Sequence, residues 1–349
     1  MKTIISGFGC VCSLGGDVLQ ITKNLFSSKA CTSFPADRLA SSYARQYPVF
    51  QVSKNILSQK KENESFSFLF LRTALNEAFE SAFLDPGVLK NVRTGVCIGT
   101  TVDVSFNCFD FYKEWKQNEN PSLDPLDKYI SYSTVREVIK TLGLKNAFGQ
   151  TVVTACASAT DAIGIASGWI ENGLCDAAIV GGCDEINLIP YTGFIKLMIA
   201  STEPCRPFDK NRKGINLGEG AGVFILTSEK FAREHNLKMN GMLMGYGNAA
   251  DAYHATAPDP CGKGLSKALM SALNEAGISK ESVAFVNAHA TGTKDNDAAE
   301  AKVFGSLLNG VPICATKGFT GHALGAAGAI EACISLICLK EGKIPKTKN

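Results

Sequence analysis

Short apolar runs that end in glycine alternate with longer segments of helical period along nearly the whole chain, and this alternation decides the fold class. Runs at residues 3–8, 95–98, 150–155, 177–181, 221–226, 242–245 and 283–288 are apolar through both faces, as strands buried on both sides are. Between them, residues 66–83, 159–172, 264–276, 298–308 and 326–339 repeat their apolar positions at helical spacing. Strands that need cover on both faces, interleaved with helices, predict an α/β chain with helices flanking each sheet.

The pattern also repeats. Residues 154–169, TACASATDAIGIASGW, read as a strand end, a turn of small residues and an apolar helix; residues 317–336, KGFTGHALGAAGAIEACISL, have the same design. Each places one reactive side chain, Cys156 or His322, beside the turn that opens an Ala- and Gly-rich helix. The runs at 3–9 and 242–248 correspond as well. The period is too long for a solenoid, so the expectation is a duplicated domain with halves at 1–235 and 236–349. Residues 53–64 are polar and read as a surface loop or helix start, and 103–127 as an insertion over the core.

At 349 residues the chain can bury a sizeable core. Thirty-five Lys and Arg against 33 Asp and Glu leave a net charge of +2, which gives no basis for nucleic-acid or membrane-surface binding. No apolar run reaches the roughly 18 residues of a membrane span, and MKTIISGFGC reads as a first strand rather than a leader peptide. Thirteen cysteines lack any C-x-x-C pair. They read as small buried hydrophobes in a reducing cytoplasm, with Cys156 set apart.

Cys156 follows an apolar strand and opens a helix, with alanine on each side. A helix N-terminus favours a thiolate and offers backbone N–H groups to an oxyanion, so the segment predicts either a nucleophile with a lowered pKa or a buried cysteine in a tight join. Of four histidines, His289 in VNAHATGT and His322 in GFTGHALG occupy small-residue turns at strand ends, where α/β sheets gather ligand loops. His235 reads as a surface residue and His254 as structural. No H-x-x-x-H or paired-cysteine spacing supports a metal. The glycines of GEGAG lead into a strand, the wrong order for holding phosphate.

Five segments taken together resemble the elongating β-ketoacyl-[acyl-carrier-protein] synthases of the thiolase superfamily: TACASATDAIG around Cys156, GGCDE at 181–185, CRPFDKNRKGINLGEGAGVFIL at 205–226, VNAHATGTKDND at 286–297 and KGFTGHALGAAGAIEA at 317–332. They run in the family's order over nearly the whole chain. The resemblance implies a five-layered αβαβα thiolase-like fold of two duplicated halves and a cytoplasmic dimer, homo- or heterodimeric, pairing through the strand before Cys156. It implies decarboxylative condensation of malonyl-carrier with an acyl chain held on Cys156, and no cofactor or metal. His289 and His322 resemble the two family histidines, Lys317 the family lysine and Glu331 its glutamate partner. Thr291, Thr293, Asp297 and Glu300 match supporting positions. Arg206, with Lys210, Arg212 and Lys213 after it, matches the carrier-protein contact, while the stretch that carries Lys60 and Lys61 also holds Glu62 and Glu64 and is less basic than in relatives. The stretches at 173–176 and 189–194 resemble ketosynthases of type II polyketide and aryl-polyene systems. Tunnel residues are expected within 100–112 and 189–200.

Relatives continue past the last residue here with two strands and a Gly-rich loop. The expectation is therefore a second half lacking its C-terminal strands, through a chain that ends early, a tail from another chain or a degenerate copy. A non-catalytic chain-length factor and a coenzyme A-dependent thiolase are the alternatives on the same fold; Cys156 argues against the first and the His289/His322 pair against the second.

Overall fold

The computed structural model describes residues 2–348 apart from 30, 31, 35–37, 40, 63, 103–107, 119 and 255. Cys31 and part of the expected tunnel segment, 103–107, thus lie outside the described residues. The first stretch of chain forms β1 (Thr3–Val11), α1 (Val18–Phe26), α2 (Lys54–Leu57), α3 (Phe66–Ala82), β2 (Thr94–Gly99), α4 (Cys108–Gln117), α5 (Asp124–Ser131), α6 (Thr134–Leu142), β3 (Ala147–Val152), α7 (Ser158–Glu171), β4 (Ala177–Asp184), α8 (Leu188–Lys196), β5 (Gly220–Ser228) and α9 (Glu229–Glu234). There follow β6 (Gly241–Leu243), α10 (Lys263–Ala276), β7 (Val286–Ala288), α11 (Lys294–Leu307), β8 (Ile313–Ala315), α12 (Lys317–Thr320) and α13 (Ala327–Glu341).

Six strands make one mixed sheet in the order β3-β2-β4-β5-β1-β6. β2 pairs in parallel with β3 and β4, whereas β5 runs antiparallel to β4 and β1. The inner strands β1, β2, β4 and β5 are buried along their whole length. One face packs on α3, with Leu69, Phe70, Ala74 and Ala78 against Val96, Ile179 and Val223. The opposite face packs on α7 and α13, where Ala159, Ala162 and Ala166 meet Ile330, Cys333 and Ile334. Beyond them β7 and β8 form a two-stranded parallel sheet covered by α10 and α11 through Leu265, Leu269, Val303 and Phe304. Helix, sheet, paired helices, sheet and helix give the five layers of a thiolase-like fold.

The apolar runs located the strands, and tertiary context set their ends. The run at 150–155 is a strand only to Val152; residues 155–157 form a 3-10 turn. The run at 283–288 is a strand only from Val286, and β8, with three residues, is too short for a periodic signal. β6 pairs with β1, so a strand from beyond residue 236 borders the large sheet. Within 103–127, the residues from 108 form α4 and α5. Among the described residues eleven cysteines are free thiols, nine of them buried as small apolar groups. Among the described residues no helix is long and apolar enough to cross a membrane.

Candidate active site

Two turns of the same shape bring the site together. After β3 the chain passes through Ala155 in the left-handed region (φ 52), makes the 3-10 turn 155–157 and enters α7. After β8 it passes through α12, then Leu324 (φ 52), the 3-10 turn 324–326 and α13. The turns meet beneath the two central helices. A Cβ on Gly99 would lie 2.3 Å from the backbone of Ser158, and one on Gly325 would lie 2.7 Å from the backbone of Thr100 and Thr101. The glycines thus allow backbone-to-backbone contact that any side chain would prevent.

Cys156 projects from the first turn and is half-buried. His322 precedes the second turn and is fully buried. His289 follows β7 on a loop whose next residue, Ala290, has φ 41. The Cys156 Sγ and a ring nitrogen of each histidine lie within 4.8 Å of one another. The imidazoles stand edge to face, with centroids 5.2 Å apart.

Lys317 lies beneath this group, fully buried at the start of α12. Its Nζ is 3.1 Å from His289 Nδ1, donates to the His289 carbonyl at 2.6 Å and forms a tight ion pair with Glu331. A buried ammonium without such partners would carry a penalty of several kcal/mol. Burial raises the Glu331 carboxyl pKa while Lys317 pulls it back.

Both imidazoles are held neutral. Burial, then Lys317 and His322, push His289 well below the usual histidine range, and burial with Lys317 pushes His322 down to about 3. The Leu324 N–H donates to His322 Nδ1 at 3.0 Å, so that ring carries its proton on Nε2. The Lys317 ammonium does the same for His289. Each ring therefore offers an Nε2–H donor.

The spacing of one thiol and two imidazoles would also suit a metal ion, but their surroundings have the wrong polarity. Metal-bound histidines hand their second ring proton to an acceptor, and here both Nδ1 atoms face donors. Binding a cation through Nε2 would set N–H against N–H at Leu324 and a cation against Lys317. The donor set fits an oxygen that gains negative charge.

The thiol departs from the sequence-based expectation. Burial raises the Cys156 pKa; Lys317 opposes this and Glu331 and Asp184 reinforce it.

The other expected residues divide into two groups. Glu300 clamps the His289 loop, accepting from the N–H groups of His289 at 2.8 Å and Ala290 at 2.6 Å. Burial raises its pKa to about 7. Asp297 holds Gly292 N–H at 3.1 Å and Phe208 N–H at 2.8 Å, and Thr291 and Thr293 hydrogen-bond to each other. All four hold the loop that carries His289. Of the expected carrier contacts, Arg212 donates to the Thr293 and Lys294 carbonyls and lies beside Asp297. Arg206 and Lys213 share Glu203, at 3.7 and 2.5 Å, and Lys210 is exposed. Phe194 of α8, within the expected tunnel segment 189–200, lies 6.5 Å from the His322 ring between centroids. Sequence reasoning gave no role to Asp184, Thr101 or Leu324, because backbone hydrogen-bonding leaves no mark on spacing.

Residues 2–232 match the sequence profile of the beta-ketoacyl synthase N-terminal domain, and residues 240–349 match that of the beta-ketoacyl synthase C-terminal domain. The chain belongs to the beta-ketoacyl synthase family. It is 31% identical to a putative mitochondrial 3-oxoacyl-[acyl-carrier-protein] synthase of Schizosaccharomyces pombe, covering 100% of this chain and 88% of the relative. It is 30% identical to a 3-oxoacyl-[acyl-carrier-protein] synthase 2 of Staphylococcus aureus, over 99% and 87%. Among solved structures, this β-ketoacyl synthase superposes on the ishigamide ketosynthase/chain length factor with a TM-score of 0.91, 26% identity and coverage of 99% and 88%. For the ketosynthase ApeO in complex with its chain length factor ApeC from Xenorhabdus doucetiae the TM-score is 0.79, with 28% identity and coverage of 99% and 86%. Chain elongation in fatty-acid or type II polyketide synthesis, an acyltransferase reaction, is the activity of this family.

Proposed function

We propose that Cys156 is the acyl-accepting nucleophile of a decarboxylative condensation and that His289 and His322 stabilise the enolate formed on the way. The carrying observation is the convergence of one thiol and a ring nitrogen of each of two neutral imidazoles within 4.8 Å. The Cys156 sulfur attacks the carbonyl of an acyl thioester on a carrier protein; the carrier thiol leaves with the proton, and the acyl chain stays on sulfur. Malonyl-carrier then binds with its thioester oxygen between the imidazoles. The bond to its carboxylate breaks, carbon dioxide departs, and the electron pair moves onto that oxygen as an enolate. Two aligned donors stabilise this charge at no reorganisation cost. The enolate carbon attacks the acyl-Cys156 carbonyl, the Cys156 thiolate leaves, and the β-ketoacyl carrier is released. Lys317, balanced by Glu331, keeps His289 neutral and its Nδ1 occupied. No cofactor or metal enters these steps.

The partners follow from the same reading. A neighbouring solved structure is described as a type II acyl-carrier protein in complex with its ketosynthase, and an acyl carrier protein in acyl and malonyl forms is proposed here, docking beside Arg206, Lys210 and Lys213. β3 is one of the two edge strands of the large sheet, and Phe148 on it and Val153 just after it are exposed. Pairing through it with an identical or related ketosynthase subunit would cover both. The matched backbone turns at 155–157 and 324–326 support reading 1–235 and 236–349 as duplicated halves. The free thiols support a reducing, cytoplasmic location.

The test is mass spectrometry of the protein with acyl-carrier, and carbon dioxide release from malonyl-carrier. Wild type gains the acyl mass at Cys156 and condenses. Cys156→Ala gains no mass and still releases carbon dioxide. A wild-type protein that is never acylated would overturn the assignment in favour of a non-catalytic partner subunit.

A further inference from the structure

We propose that Asp184 is a positioning residue for both halves of the reaction: one buried carboxylate ties the Cys156 turn to the His322 turn. The inference rests on the catalytic reading of Cys156 and His322 given above. Asp184 ends β4 and is completely buried. Its Oδ1 accepts from the Thr100 hydroxyl at 2.7 Å and the Val102 N–H at 3.0 Å. Its Oδ2 accepts from the Thr101 N–H at 2.9 Å and the Gly325 N–H at 2.6 Å.

Two of these bonds lead to a reacting group. Gly325 N–H is the anchor of the second turn. The adjoining Leu324 sits in the left-handed region, a conformation a leucine adopts only when its surroundings hold it there. Leu324 N–H is the donor that fixes the His322 tautomer. On the other side, Thr101 is pinned through its N–H, and its hydroxyl donates to the Ala155 carbonyl at 3.1 Å, immediately before Cys156. The Ser158 hydroxyl holds the same carbonyl at 2.6 Å. A single carboxylate thus sets the position of the thiol from one half of the chain and the donor nitrogen from the other. Both oxygens are filled by donors, so an amide cannot replace it. Whichever way Asn is turned, its NH2 group faces N–H or O–H donors and one set of bonds is lost.

The experiment uses the full-length protein, with wild-type condensation established first; an inactive wild type would count against the catalytic reading, not against Asp184. In Asp184→Asn the rate of malonyl-carrier decarboxylation is expected to fall about 10- to 100-fold, with KM for the carrier within twofold, since the docking surface is untouched. Ring 15N spectra of histidine-labelled protein carry the distinguishing signature: His322 shows the Nε2–H tautomer in wild type and a tautomer mixture in the variant. Thr101→Val removes only the hydroxyl link to Ala155. It should slow acylation of Cys156 by about two- to tenfold and leave decarboxylation and the His322 spectrum unchanged. Decarboxylation within twofold of wild type in Asp184→Asn, an unaltered His322 spectrum, or equal slowing of both steps in Thr101→Val would overturn the proposal. If Asp184→Asn does not fold, Thr100→Val, which removes one donor from the carboxylate, decides: a shifted His322 spectrum with slower decarboxylation supports the coupling, and unchanged values overturn it.

Discussion

The turns at 155–157 and 324–326 are one backbone motif with two chemical outcomes. Both begin with a non-glycine residue at φ 52, pass through three residues of 3-10 helix and feed a long helix of the central layer. In register, Ala155 corresponds to Leu324, and Cys156 to Gly325. The first half places its reactive atom on the turn itself. The second half has glycine there, because the position is pressed against the backbone of Thr100 and Thr101. Its functional groups sit earlier, in the connection 316–323 from β8, which is only 153–154 in the first half. That longer connection makes room for α12, with Lys317 at its start, and for His322. On the proposed reading, the two turns divide nucleophile and donor between them. The sheets differ in the same way. β7 and β8 repeat the parallel pair β2 and β3, while the described residues of the second half contain no counterpart to β4 and β5.

The comparison breaks most completely at Cys156. Cys156→Ala should abolish acyl transfer, at least about 10⁴-fold, while leaving decarboxylation measurable by carbon dioxide release; a loss of both would mean the two halves are not chemically separable. His289→Ala and His322→Ala should each lower decarboxylation by about 10²- to 10³-fold, the usual effect of removing one preorganised donor. Acylation of Cys156, followed by mass spectrometry, should survive better in both. Gly325→Ala tests whether the second turn could ever have borne a side chain. The added carbon meets backbone, so unfolding by denaturant should report a loss of about 1–3 kcal/mol.

The smallest effect concerns pH. The Cys156 pKa is raised above its usual 9.0, chiefly by burial, so the thiolate fraction grows with pH and has no plateau below that value. Iodoacetamide labelling of Cys156 should therefore accelerate about tenfold per pH unit from 7 to 9. Lys317→Met removes the charge that opposes the rise, and labelling should slow at each pH. A plateau near pH 7 would show that the helix N-terminus outweighs burial.

Much of this was legible in the chain because strong local signals agreed. Long helices such as α3 and α13 carry enough apolar positions to define their period, and glycine-bounded runs marked β1, β2, β4 and β5. Cys156, His289 and His322 stood out because they sit in turns of small residues, and Lys317 and Glu331 through the family resemblance. The expected strand ends failed where the deciding interaction was distant: the ends of β3 and β7 depend on pairing with β2 and β8, in other stretches of the chain.

The sequence by itself determined the class of fold and the repeated strand–turn–helix unit, which rest on residue type and short-range periodicity, and its resemblance to a known family singled out the side chains proposed to react. Only the tertiary structure decided their protonation. Two histidines with ordinary intrinsic pKa values become permanent neutral donors because burial and a lysine 28 residues from His289 act together. Burial raises the pKa of a cysteine at a helix start. Solvation and field depend on everything within several ångströms, and no stretch of sequence contains that list.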